Sequence, residues 1–215
     1  IITTPFGWVS DIASILHVNF TPVFCDIKKE TLSMDESQIR NKITSKTRAI
    51  LLTHILGYNG LSQELLNICK EKNIMLIEDV CESHGATFQE KKLGSFGNIS
   101  NFSYYYAHHM TSIEGGMICT NDIDIYNMAL SYRSHGMLRE ITNETTKNKI
   151  IQQYPDLNKD FIFTAAAYNM RSTELNAVIA INQLKRLDQN NVIRRINLDI
   201  FLNSLDPIKY YTQFN

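Results

Sequence analysis

Glycine disappears from this sequence after Gly136: all nine glycines lie at or before that position, and the last 79 of the 215 residues have none. Glycine marks tight turns and close backbone approaches, so the asymmetry predicts two structural regimes. Long apolar runs are missing as well. The longest aliphatic run is Ala177-Val178-Ile179-Ala180-Ile181, far short of the roughly 20 residues a membrane-crossing helix needs. That excludes a transmembrane helix. Charge of one sign is also lacking: the formal net charge is -1, and without a basic stripe electrostatically driven nucleic-acid binding is excluded. No Cys-x-x-Cys occurs, and Cys25, Cys69, Cys81 and Cys119 are spaced too widely for a zinc ribbon. Nothing indicates secretion, so reduced thiols in a cytoplasmic protein are expected. The sequence opens on Ile1-Ile2-Thr3-Thr4, with neither an initiator Met nor a basic-then-apolar leader. A fragment of a longer chain is the expectation.

What is present reads as an ordinary globular composition, 44% hydrophobic and 20% charged. Strand-like runs alternate with helical patterns up to Gly136. Pro22–Ile27, Arg48–His54 and Ile74–Ile77 read as strands, the last ending at Glu78-Asp79. Asp35 is placed to cap a helix through Lys42, and Ser62 to cap another carrying Leu65, Leu66, Ile68 and Cys69. Ile99–Ala107 reads as an aromatic-rich strand, Met117–Thr120 as a further one, and Ile123–Ser134 as a helix stopped by a left-handed Gly136. This alternation predicts an α/β fold with a parallel sheet. Residues 137–164 read as polar and irregular, and Ala165–Leu187 as helix.

Open α/β sheets bind ligands beyond the carboxyl ends of their strands. Asp79 closes a strand, where a carboxylate can hold a pyridinium nitrogen protonated, although strand-end aspartates commonly cap the next element. His108-His109 follow a strand, and histidine is the natural proton shuttle near neutrality. A metal on the histidine pair is disfavoured, because adjacent residues of a strand point apart. The single tryptophan, Trp8, can stack on a flat ring or fill a core. Ser103 can donate to a phosphate, or be an ordinary strand serine.

Together these segments resemble the DegT/DnrJ/StrS-type sugar aminotransferases, a fold-type I pyridoxal-phosphate family. The markers are Pro22–Ile27, Ile77-Glu78-Asp79, Ser83-His84-Gly85-Ala86, Phe102-Ser103-Tyr104-Tyr105, Glu114-Gly115-Gly116 and Tyr168–Leu175, in the family's order. The resemblance implies a cofactor-binding α/β large domain with a mostly parallel sheet flanked by helices over 1–136. An active-site or subunit-contact loop would span 137–164, and helices leading to a small C-terminal domain 165–215. It implies that Asp79 faces the pyridine nitrogen and Trp8 stacks on the ring. Glu82 stands where the family usually has a glutamine, Ser103 would meet the phosphate, and Asn169 the phosphate of a neighbouring subunit in a homodimer. The family's Schiff-base lysine falls at His108, and imidazole cannot form that covalent link. This substitution resembles the sugar 3-dehydratase branch. The implied cofactors are pyridoxal and pyridoxamine 5'-phosphate, with glutamate as amino donor. The implied substrate is a nucleotide-linked 4-keto-6-deoxyhexose such as GDP-4-keto-6-deoxymannose, losing its 3-hydroxyl, with His108 as base and then acid. A histidine branch carrying an iron–sulfur cluster is disfavoured, since only Cys119 lies beyond His108 and a cluster needs about four thiolates. The alternatives are a family member acting on another keto sugar, or a catalytically silent homologue.

Overall fold

The computed structural model describes residues 1–214. Its centre is a six-stranded sheet in the order β2-β1-β3-β4-β7-β8. These strands are β1 (Ile2–Thr3), β2 (Val23–Phe24), β3 (Ala49–Thr53), β4 (Met75–Asp79), β7 (Ile99–Ser103) and β8 (Gly116–Cys119). All pair in parallel except β8, which runs antiparallel to β7. β5 (Thr87–Phe88) and β6 (Lys91–Lys92) form a separate antiparallel pair. A mostly parallel sheet is what the strand–helix alternation predicts, and β3 is buried along its whole length, as such sheets require.

Side-chain caps fix two of the three helices that precede β4. α1 spans Val9–His17, α2 Glu36–Lys42 and α3 Gln63–Lys72. Asp35 accepts from the Ser37 backbone N–H at 3.0 Å and Ser62 from that of Leu65 at 3.1 Å, each satisfying an otherwise orphaned donor. α3 turns Leu65, Ile68 and Cys69 onto Ile50, Leu52 and Leu76 of the sheet, which together form the core with Ile2, Ile39 and Val80.

Three expectations change beyond β6. β7 ends at Ser103 rather than Ala107, because Tyr104 makes the last ladder bond to Gly115 and the chain then turns, His108 donating to the Tyr105 carbonyl at 3.0 Å. The stretch 137–164 is not wholly irregular: α5 covers Glu144–Gln153, with Asn143 accepting from the Thr146 N–H. Residues 165–173 are extended rather than helical. The bridges Ser134↔Asn169 and Met137↔Phe163 hold this region as a strand-like strap, and α6 begins only at Glu174, behind a Thr173/Asn176 capping box, running to Ser204.

The helix α4 (Ile123–Arg133) stops as the sequence predicts, with Gly136 at φ 77° and its N–H on the Ser131 carbonyl. A Cβ on Gly136 would collide with the Ala165 backbone. Gly136→Ala should therefore lower stability by about 2 kcal/mol or more, read as a fall in the thermal midpoint. An unchanged midpoint would mean that the strap is not held closely against this turn.

Candidate active site

The carboxyl ends of β3, β4 and β7 meet at one edge of the sheet. Register places Thr53 beside Asp79, and Asp79 beside Asn101, so the three side chains share a face. Asp79 is buried, and its Oδ1 accepts from the Cys81 N–H and from Asn101 Nδ2, both at 2.9 Å. No helix follows β4, so the capping alternative reduces to a local turn. Ser103 lies two residues beyond Asn101, hence on the same face, at the last position of β7. Its Oγ accepts from the Tyr105 N–H at 3.2 Å.

α1 brings two residues to this edge. Trp8 is its N-cap and is 72% exposed, an open indole rather than a core filler. Asp11, in the first turn, accepts from Thr53 Oγ1 at 2.7 Å. Glu82 follows Asp79 by three residues, and its Oε2 accepts from the Leu56 N–H at 2.7 Å. Leu56 has a left-handed φ of 54°, so Glu82 pins a strained turn at the end of β3.

His108 sits in the turn after β7, half-buried, with its ring edge-on to Tyr105 at 5.4 Å between centroids. Its Nδ1 is buried with no protein partner. His109 lies beside His84, the two ring centroids 5.7 Å apart. Burial holds both His84 and His109 down to about 4, reinforced for His84 by His108 and for His109 by Arg194. Both are therefore uncharged at neutral pH. Among the described residues no group of His, Cys, Asp and Glu is arranged to hold a metal ion. Asn169 is exposed, bonded to Arg171 Nε at 3.1 Å, and lies on the strap apart from these residues.

Several positioning residues have little signal in the sequence. Glu78, wholly buried, accepts from the backbone N–H groups of Gly94, Phe96 and Gly97 and faces His54 Nε2 at 3.2 Å. The Gly60 N–H donates to His54 Nδ1, so the imidazole proton sits on Nε2 and points at Glu78. α6 clamps both loops of the edge. Asn191 Nδ2 donates to the His84 carbonyl at 2.8 Å, and Asn176 Nδ2 to the Ser112 carbonyl at 2.7 Å. Asn176 alone was traceable in advance, as the N3 member of a capping box.

A family model for the DegT/DnrJ/EryC1/StrS aminotransferase family matches residues 1–214. The chain belongs to this family. Among curated members, it is 34% identical over 212 residues to the GDP-4-keto-6-deoxy-D-mannose 3-dehydratase of Escherichia coli O55:H7, covering 98% of this chain and 54% of that protein. It is 28% identical to the GDP-perosamine synthase of Escherichia coli O157:H7, covering 97% and 52%. A crystal structure of GDP-4-keto-6-deoxymannose-3-dehydratase with a trapped PLP-glutamate geminal diamine superposes with a TM-score of 0.82 at 32% identity, covering 94% and 52%. The chain thus spans about half the length of these relatives. The family is pyridoxal-phosphate dependent, and the edge fits that cofactor. Asp79 offers a buried carboxylate of the kind a protonated ring nitrogen takes, Trp8 an open aromatic face, and Ser103 a hydroxyl two positions past Asn101.

Proposed function

We propose that the protein is a pyridoxamine/pyridoxal-phosphate-dependent nucleotide-sugar 3-dehydratase, removing the 3-hydroxyl of GDP-4-keto-6-deoxymannose with glutamate as amino donor, for deoxysugar and O-antigen synthesis. The observation that carries this reading is His108 at the position of the family's lysine, with an unpartnered Nδ1. Lys91 and Lys92 lie on the β5–β6 hairpin, where Lys92 Nζ donates to the Gly85 carbonyl at 2.9 Å, and neither replaces it.

When bound, the cofactor supplies an electron-withdrawing ring that stabilises negative charge beside the sugar's C3 and C4. Asp79 holds the ring nitrogen protonated, and Trp8 covers one face of the ring. Ser103 donates to the phosphate, and Asn169 reaches the phosphate site of a second subunit in a homodimer. His108 takes a proton at the substrate-facing side and returns it to the departing hydroxyl, one imidazole serving both steps. Glu82, already bound to the Leu56 N–H, holds the turn beside the ring. Its role therefore differs from that of the usual glutamine, since its Oε2 is taken up as an acceptor for that backbone N–H. Four unbonded thiols suit a reducing cytoplasm.

The similarity to a perosamine synthase makes transamination of the same class of sugar the second reading. Incubating the natural full-length protein with GDP-4-keto-6-deoxymannose, glutamate and cofactor separates the two. Mass spectrometry should find a 3-deoxy keto sugar and ammonia, whereas a 4-amino sugar retaining its 3-hydroxyl would overturn the dehydratase reading. Borohydride reduction of the pyridoxal form should leave no lysine labelled.

A further inference from the structure

Asp11 has no part in the reading above, yet the fold aims it at that reading's central carboxylate. It reaches down from the first turn of α1 to Thr53 Oγ1 at 2.7 Å, and Thr53 is the cross-strand neighbour of Asp79. Asp11 thereby joins a cluster of polar side chains at the strand ends, in which its carboxyl feels the charge of Asp79. A half-buried carboxyl placed beside another carboxyl ionises less readily, which favours a proton on Asp11. Burial, then the charge of Asp79, push Asp11 up to about 7, with Glu82 adding and Thr53 opposing. Cys81 faces the same pair, and burial, then Asp79, push its thiol up so that it stays neutral.

We propose that Asp11 is a positioning residue for the cofactor ring, keeping a proton behind Asp79 in the free protein and releasing it when a pyridinium occupies the site. The inference rests on the cofactor reading above. The O–H bond at Asp11 breaks, the proton goes to solvent, and the ring N–H bond and all electron counts stay as they were. The physical cause is the new positive charge, since an opposite charge within hydrogen-bonding range of such a pair favours ionised carboxyls by about one to three pH units. Asp79 then meets the ring nitrogen with a second negative charge behind it, which strengthens its hold on the ring proton.

The test counts protons. Isothermal titration of pyridoxal phosphate into the full-length protein, in buffers of different ionisation enthalpy, gives the protons released on binding. At about pH 6 the native protein should release roughly one proton more than Asp11→Asn, and the difference should vanish by about pH 8.5. Thr53→Val keeps both carboxyls but removes the bond that favours ionised Asp11, so its release should persist to higher pH. Equal proton counts for native and Asp11→Asn at every pH, with both proteins binding, would overturn the proposal while leaving the cofactor reading intact. So would a Thr53→Val profile superimposed on the native one, which covers an Asp11→Asn protein that fails to fold. Absence of pyridoxal-phosphate binding by the native protein would instead overturn the cofactor reading, and this inference with it.

Discussion

His108→Asn should abolish loss of the sugar 3-hydroxyl, with turnover falling by about 10²–10⁴-fold or more, while the protein still binds pyridoxal phosphate. The size follows from one side chain serving twice, as base and as acid, so that its removal slows both proton transfers. Asparagine is close to the imidazole in volume but exchanges no proton at neutral pH. Folding should be little affected, because the ring is half-buried against Tyr105 and no protein group depends on its Nδ1. Neighbouring imidazoles cannot readily substitute. His109 lies beside His84, and burial keeps both uncharged down to about pH 4. Product analysis by mass spectrometry and the cofactor's absorbance together check the prediction. A variant that dehydrates at the native rate would remove His108 from its role.

Glu78→Gln should be the most destabilising near-isosteric change at the site, costing about 3–5 kcal/mol. Every group facing this carboxylate is a donor: Phe96 and Gly97 N–H on Oε1, and Gly94 N–H with His54 Nε2 on Oε2. A glutamine keeps one acceptor and turns an NH₂ group onto two of these donors, leaving them unpaired in a fully buried place. Burial alone would raise the Glu78 carboxyl, but His54 and the three backbone donors outweigh it and hold the carboxyl below its ordinary value. Its stabilisation is accordingly complete above the ordinary glutamate range and is lost as pH falls through the lowered folded value. Thermal melts across pH should show a lower midpoint for Glu78→Gln at neutrality and a smaller difference from native in acid. Equal midpoints at neutral pH would mean that the network holds no net stability. Because Asp79 is the next residue, cofactor affinity should weaken in the same variant.

What could be read in the sequence shares one property, short range along the chain. Asp35 and Ser62 declare their helices within three residues, Gly136 its helix stop within five, and β3 its burial by an unbroken apolar run. Asp79 and His108 were legible because each ends or follows a strand, and parallel strand ends are where such sheets bind ligands. The failures were local too. Tyr104-Tyr105-Tyr106 have strong strand propensity, but the ladder to β8 runs out at Gly115 and the chain must turn to carry His108. Ala165–Ala167 favour helix, but the Ala165 backbone lies against Gly136, and bridges at Phe163 and Asn169 hold the chain on either side out of a helix.

The sequence by itself determined the α/β class and the family, since these depend on residue identity and order. Only the tertiary structure decided that Asp11 meets Thr53 42 positions away, that Glu78 gathers the 94–97 turn and His54, and that Asn191 ties α6 to His84 across 107 positions. Polar side chains such as these carry no periodicity that announces a distant partner. Their pairing is settled by where the sheet and α6 bring the backbone, and by the cost of leaving a buried donor or acceptor unmatched. The same folding brings Asp11 to Thr53, the strand neighbour of Asp79, although the sequence alone leaves the two aspartates 68 positions apart.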